Sequence, residues 1–500
     1  MKFIRPVRSW QNWVLALVFL LGAGVRLLDL QDPPLDFHPV RQLRDAIIAR
    51  GLWLQMDPAA VTPELRQQAL QLAAVQGAHE PPIFEGLVAL TYRLIGSEQV
   101  WVPRIYAIFV WMLGGWALYR LVRRFASPWA ALLGVCFYFF LPFGVQASRA
   151  FQPDPWMVGL LLVTALALVR WLEKPTWGRL VCLGLVGGLV ILIKVVAGFF
   201  VAAMMIGSLL VNRPWKKLLR DPQVYTAAAL MLIPAIVYYL FMLGPAAGEY
   251  ASFWTVTMSR LLLTSNYYAD WLAMIGSLTG LAMAALAVLG LALMKKEIRP
   301  VALGLWIGYI LYGITWPFQY TTHEYYHLSL VAIVALCLPP VLDVLFGALK
   351  NQPRFWRVAV AGLLVASVGY WAYVSRSVLV GQNYANEPIA WQRIGEAIPQ
   401  DGTFVLLTND YGVRLGYYGW RSPNQFWPSA DDLSLRDLRG AGERNVAAEF
   451  SELTAGHAYF VVTAQADLAS QPELQAILNA YPLLAEGDGY QIYDLRGATP

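Results

Sequence analysis

Charge is scarce in this chain. Only 14% of its 500 residues are Asp, Glu, Lys or Arg, while 58% are hydrophobic, and the mean hydropathy is +0.50. A soluble domain carries about 25% charged residues, so this composition excludes a soluble globular protein and implies a polytopic membrane protein. The formal net charge of +5 is small for the length, and the basic residues gather between apolar runs, which argues against nucleic acid as a partner. Cysteine is nearly absent. Cys136, Cys182 and Cys337 each lie inside an apolar run, which leaves no disulfide framework and no thiolate metal site. The sequence also lacks an internal repeat, a low-complexity tract and a glycine-rich nucleotide fingerprint.

What the chain has instead is apolar runs. They cover about 12–30, 99–119, 128–146, 155–171, 178–193, 195–211, 223–243, 271–293, 300–316, 328–347 and 357–375, and predict eleven spans, the first retained and not cleaved as a signal peptide. Tryptophan (20) and tyrosine (25) are plentiful, as suits many membrane interfaces. An N-terminus in the cytoplasm collects Lys2, Arg5 and Arg8 on that face, with Arg120, Arg123 and Arg124, Arg170, Lys174 and Arg179, and Arg213, Lys216, Lys217 and Arg220. Lys295, Lys296 and Arg299 join them, as do Lys350, Arg354 and Arg357, whereas the short opposite loops hold only Arg149, Lys194 and Arg260. This asymmetry is the positive-inside pattern, and it places the C-terminus outside. The expected location is the inner or plasma membrane.

Residues 1–375 form the expected transmembrane module, with an external loop at 31–98. In that loop His38, Arg41 and Asp45 share one helical face. Thr62-Pro63-Glu64 starts a helix that Gly77 stops, and its stripe of Leu65, Ala69, Leu72 and Ala73 suits a helix lying on the membrane. Ile83 to Ile95 reads as a further apolar helix too short to span. Residues 376–500 read as a small external α/β domain, with helices at 389–398 and 472–481 and strands at Thr403–Thr408, His457–Thr463 and Tyr490–Leu495.

Ionisable groups at membrane depth are costly and mark function. Here the external side gathers Asp36, His38, Arg41, Glu80, Glu85, Arg104, Arg149, Asp154, Lys194 and Arg260, and the pentapeptide His323-Glu324-Tyr325-Tyr326-His327. Blander readings stand beside these. Asp154 between two prolines caps a helix, Lys194 snorkels to the interface, and Arg41 pairs with Asp45 on a helix surface.

An acid just after the first span, two interfacial helices in the first loop, a His-x-Pro-Pro turn at His79, Asp154 at the start of the fourth span, Lys194 near the fifth and a His/Tyr-rich loop before a late span come in a set order. That order resembles the GT-C glycosyltransferases of glycosyltransferase family 39, the protein O-mannosyltransferase and aminoarabinose transferase type, over residues 12–375. Where that family often has two adjacent acids, this chain has Asp36-Phe37-His38. The resemblance implies an inverting glycosyltransferase that takes a sugar from a polyprenyl-phosphate donor. Asp36 would be the general base, and Asp154 would share that role, orient the acceptor or hold Arg41 by a salt bridge. Lys194, Arg260, Arg41 and His38 would face the donor phosphate, and Glu80, Arg149, His323, Glu324, Tyr326 and His327 would line the substrate. Partners would be the lipid donor, membrane lipids and an acceptor protein, lipid or glycan.

No cofactor is required by this reading. A divalent metal stays open, since Asp36, His38, Asp154, His323 and His327 are all ligand types. His323-Glu324-Tyr325-Tyr326-His327 also fits the His-Glu-x-x-His pattern of zinc metalloproteases, the minor alternative. The main competitor is a transporter or flippase of a lipid-linked substrate, which would show inverted repeats and polar residues at mid-membrane depth.

Overall fold

The computed structural model describes residues 9–77, 79–400, 402–440 and 442–497. Lys2, Arg5 and Arg8 lie outside the described residues. Two compact units are present: Met1–Gln31, Ala78–Phe84 and Val100–Asn383 form one, and Asp32–Gly77, Glu85–Gln99 and Tyr384–Pro500 the other.

The first unit is helical, and helices occupy all eleven apolar runs. Among the described residues five helices are long and apolar enough to cross a membrane, or six if one bent pair is a single span. Pro153–Glu173 lies at the centre, 83% buried over its apolar window, and Arg354–Gly381 lies at the edge, 6% buried. Trp101–Val122 packs against Pro153–Glu173. Gly159 permits that approach, for a Cβ there would stand 2.6 Å from the Val110 carbonyl oxygen.

Two of the expected spans are broken. The run 128–146 divides into Pro128–Phe140 and Pro142–Ala147. Leu141 precedes Pro142, whose ring drives it out of the helical region (ψ 123°). The run 271–293 is two helices, Ser265–Leu278 and Leu281–Leu293, bent by 94°. Gly280 at φ 82° makes that bend, a conformation open mainly to glycine. The runs 178–193 and 195–211 are separate helices, Trp177–Ile193 and Ala197–Asn212, interrupted at Lys194.

The second unit joins Asp32–Gly77 and Glu85–Gln99 of the first external loop to the C-terminal segment, while the stretch Ala78–Phe84 between them groups with the helical unit. Its sheet contains β1 (Phe404–Leu407), β2 (Gln425–Trp427), β3 (Tyr459–Val462), β4 (Leu483–Gly487) and β5 (Tyr490–Asp494) in the order β2-β1-β3-β5-β4. β1 runs parallel to β2 and β3, and β5 is antiparallel to β3 and β4. Both faces of β1 are covered, which is why it reads as an unbroken apolar run. Val405 and Leu407 enter a core with Trp427 and Phe460, and Phe404 and Leu406 enter another with Trp391 and Leu415.

The loop helices are Pro39–Met56, Pro63–Val75 and Ile83–Ile95. Thr62 caps the second by accepting from the Leu65 amide at 3.4 Å, and Gly77 closes it at φ 68°. The expected stripe is covered by protein at its centre, while Leu65 at its start stays exposed. Ala69 and Leu72 are buried, and Gly51 admits Ala73 so closely that a Cβ at 51 would meet it at 2.4 Å. A Cβ on Gly416 would stand 3.1 Å from Leu72, so the helix Val413–Gly419 closes the other side.

Candidate active site

In the helical unit the chemistry collects where the start of one helix lies beside the end of the next. Pro153-Asp154-Pro155 opens the helix Pro153–Glu173, with proline suited to the first turn and the acid suited to the helix dipole. Asp154 is fully buried. Lys194 ends the helix Trp177–Ile193 in extended backbone (φ −149°, ψ 110°). Its ammonium donates to Asp154 Oδ1. At 6% exposure Lys194 is buried in the protein and does not snorkel. The rings of Tyr325 and Tyr326 stand 5.6 and 5.1 Å from its Nζ, so cation–π attraction adds to the ion pair.

Beside this pair bonding capacity is left over. Asp154 Oδ2 and both amide atoms of the buried Gln152 lack a hydrogen-bond partner among the described residues. Buried polar atoms are nearly always bonded, so this is a place where a polar ligand or ordered water completes the structure.

The His/Tyr-rich turn is built around His327. Its Nε2 faces the Tyr320 carbonyl at 2.7 Å and must donate. Its Nδ1 therefore accepts from the Tyr309 hydroxyl at 2.6 Å, whose oxygen in turn accepts from the Trp271 indole at 2.9 Å. Glu324–His327 is a 3-10 turn and not an α-helix, so His323 and His327 do not present the shared face that a zinc protease needs. Among the described residues no three His, Cys, Asp or Glu side chains group to hold a metal. The metalloprotease reading thus loses its centre. His323 bonds through Nδ1 to the Thr322 hydroxyl at 2.7 Å.

Arg149 is committed to backbone. It donates to the carbonyls of Leu28 and Asp29 at 2.5 and 2.6 Å, and Arg104 donates to those of Asp29 and Leu30 at 3.0 Å. Two buried cations thus satisfy the carbonyls beyond the first helix's C-terminus. Arg26 lies inside the first apolar run. It is fully buried and donates to Ser148 Oγ at 2.6 Å and to the carbonyls of Gly22 and Phe139 at 2.7 and 2.8 Å. Arg260 is exposed on the 3-10 turn Thr257–Leu263. Glu80 is half-buried, within electrostatic reach of Tyr239.

In the second unit Asp36, His38 and Arg41 lie on the turn and first helical positions of Pro39–Met56. Asp36 is half-buried, and Gln42 donates to the Phe37 carbonyl at 2.6 Å while its amide nitrogen stands 3.5 Å from Asp36 Oδ1. His38 precedes the helix in left-handed backbone (φ 46°, ψ 68°), a conformation that costs a non-glycine residue energy and clusters at functional sites. Tyr384 was not foreseen. Its amide donates to Asp32 Oδ1 at 2.9 Å, and burial, then the charges of Asp36 and Asp32, push its phenol up. Nothing in the sequence near 384 signals this, because the partners are about 350 residues away.

The geometry can be set beside known proteins. Residues 79–241 match the family described as dolichyl-phosphate-mannose-protein mannosyltransferase. Comparison with curated proteins by sequence returned no match. The solved structure of ArnT from Cupriavidus metallidurans, in the apo state, is similar at a TM-score of 0.62 and 17% identity, covering 99% of this chain and 100% of that one. The same protein bound to undecaprenyl phosphate gives the same values of 0.62, 17%, 99% and 100%. The oligosaccharyltransferase AglB from Archaeoglobus fulgidus, in complex with an inhibitory peptide and a dolichol-phosphate, is similar at a TM-score of 0.53 and 16% identity, covering 91% of this chain and 69% of that one. The chain has the GT-C fold, shared with ArnT over nearly its whole length, and residues 79–241 within it carry the match to the family described as dolichyl-phosphate-mannose-protein mannosyltransferase.

Proposed function

We propose that this protein is a membrane glycosyltransferase that moves a sugar from a polyprenyl-phosphate carrier to an acceptor hydroxyl or amine on the extracytoplasmic face. The observation that carries the reading is the GT-C fold shared over nearly the whole chain with ArnT, which has been solved with undecaprenyl phosphate bound. The distribution of basic residues supports a cytoplasmic N-terminus and an extracytoplasmic second unit.

The acceptor atom forms a bond to the anomeric carbon as the bond from that carbon to the phosphate oxygen breaks, inverting the centre. Asp36 takes the acceptor proton. The phosphate keeps the bonding electrons and, with a second pKa near 6, leaves without needing a proton but needing cations. Lys194, Arg260, Arg41 and His38 are the proposed cations. Asp154 shares Lys194's charge and sets its position. Glu80, His323, Glu324 and Tyr326 are proposed to contact substrate, whereas Arg149 and His327 act by positioning, as their bonds to backbone indicate.

The test is a transfer assay with the full chain in nanodiscs, using radiolabelled polyprenyl-phosphate sugars with and without a chelator. Wild type consumes a donor, and Asp36→Asn lowers turnover by about 10²–10⁴-fold, the usual contribution of a general base. Equal rates in the two proteins reject Asp36 as base. Labelled lipid that crosses a sealed vesicle unconsumed rejects the enzyme in favour of a transporter.

A further inference from the structure

The helical unit contains a large groove that the proposed reaction does not use. It has a volume of about 1430 Å³ and runs along the helices Ser9–Arg26, Pro128–Phe140, Pro339–Leu349 and Arg354–Gly381. Its walls are apolar. Val14, Val18, Leu21 and Val25 form one face of the first helix, and Leu364, Val368 and Ala372 face the groove from the last.

Three helical glycines line it: Gly24, Gly347 and Gly369. A Cβ at any of them would meet nothing within 4 Å. Glycine inside a helix costs about 1 kcal/mol relative to alanine, and here no protein atom approaches to account for it. The space is shaped for something closely applied to these helices.

Charge says what. Lys350 and Arg357 line one end of the groove and Arg376 the other, and their side chains make no ion pair or hydrogen bond among the described residues. Arg357 and Arg376 lie on one helix, about 28 Å apart at the helical rise, close to the hydrocarbon thickness of about 30 Å. The cations therefore sit at the two headgroup levels. The one acid on the lining, Asp343, already accepts from the Ser127 amide at 2.8 Å. The Lys350–Arg357 end therefore takes its counter-charge from the occupant, and an apolar occupant with an anionic head, an anionic lipid, matches both the walls and that end. Ser127, which bonds the lining's Asp343, follows three residues after Arg124, which bonds Glu173 at 2.7 Å, so this end is on the side of the helix Pro153–Glu173 opposite Asp154, and the headgroup it holds is not that of the sugar donor.

We propose that this groove is a binding site for an anionic glycerophospholipid of the cytoplasmic leaflet, with its phosphate between Lys350 and Arg357 and its acyl chains along Gly369 and Gly24. The lipid completes the packing of the helix Arg354–Gly381, which the protein alone leaves almost bare.

Full-length protein is stripped of lipid in mild detergent and titrated with phosphatidylglycerol or phosphatidylcholine, with bound lipid counted by native mass spectrometry and melting followed in parallel. Wild type binds one phosphatidylglycerol at least tenfold more tightly than phosphatidylcholine. Lys350→Gln with Arg357→Gln removes the preference, Gly369→Trp removes binding of both lipids, and Arg376→Gln leaves both unchanged. Gly24→Leu carries the same test as Gly369→Trp should that variant fail to fold, as judged by gel filtration and helicity. Equal binding of the two lipids to wild type, full retention by both glycine variants, or displacement of phosphatidylglycerol by equimolar polyprenyl phosphate overturns the proposal.

Discussion

The ammonium of Lys194 meets the carboxylate of Asp154 at the junction of two helix ends, with both groups withdrawn from solvent. Removing one partner of a buried pair leaves a charge with no counter-ion, at about 3–5 kcal/mol, whereas replacing both can be nearly neutral. Lys194→Met or Asp154→Asn alone is expected to destabilise the protein by about that amount. The double variant recovers most of the loss. Unfolding of the four proteins of this double-mutant cycle in detergent measures the coupling, and simple additivity would show that the pair does not act as a unit.

Arg26 poses a similar question without a carboxylate. Its guanidinium is held by one hydroxyl and two carbonyls drawn from the first helix and from Phe139 and Ser148. Hydrogen bonds from a charged group are worth about 1.5–3 kcal/mol each, and leaving buried acceptors unpaired adds a penalty. Arg26→Leu is expected to cost about 2–4 kcal/mol, read as a lowered melting temperature. An unchanged melting temperature would mean that the fully buried cation costs as much to desolvate as its bonds return.

Much of this was legible in the sequence, for reasons that are local. Thr62-Pro63-Glu64 and Gly77 set the bounds of a helix because capping and left-handed backbone are properties of a few adjacent residues. The strands β1, β3 and β5 follow from apolar runs that two cores must cover. β2, of three residues, and β4, whose two leucines at 483 and 484 are both exposed, carry no such pattern. The breaks at Leu141 and Gly280 were missed because hydropathy continues through them while the backbone does not. Asp154 and Lys194 stood out singly as charges at membrane depth, but their pairing depends on packing across forty residues. Arg26 was visible as an arginine inside an apolar run, and only its length-averaged surroundings concealed it.

His327 gives a spectroscopic prediction. With Nε2 bonded to a carbonyl and Nδ1 to a hydroxyl that already accepts from an indole, the ring is held as the tautomer with hydrogen on Nε2. Nitrogen-15 shifts of selectively labelled histidine are expected to show one protonated and one bare nitrogen. Tyr309→Phe leaves Nδ1 without a donor and is expected to cost about 1–3 kcal/mol. A pair of protonated nitrogens in wild type would reverse the assigned roles of Tyr309 and His327.

Arg50 ties the first loop to the C-terminal segment within the second unit. It donates to Glu98 Oε2 at 2.8 Å and to the Tyr417 carbonyl at 2.7 Å, between the rings of Tyr417 and Trp420 at 4.1 and 4.3 Å. Burial alone would lower its pKa, but the charge of Glu98 and the contact with Tyr417 more than offset this and raise it. The guanidinium therefore stays charged at every pH the fold survives, and no pH dependence is expected from it. Its worth lies in shape, since a planar fork can bond two acceptors while stacking on rings and an ammonium cannot. Arg50→Lys is expected to behave almost as badly as Arg50→Ala, each losing about 2–4 kcal/mol. Glu98→Gln keeps one oxygen to accept from Arg50 and puts an NH2 where the other accepted from the Tyr417 hydroxyl at 2.7 Å, which can turn to accept instead, so it is expected to lose less. Hydrogen exchange across residues 39–56 and 413–419 checks this: faster exchange in both segments together for Arg50→Lys supports a shared lock, and acceleration in one alone shows that the two segments hold their structure separately.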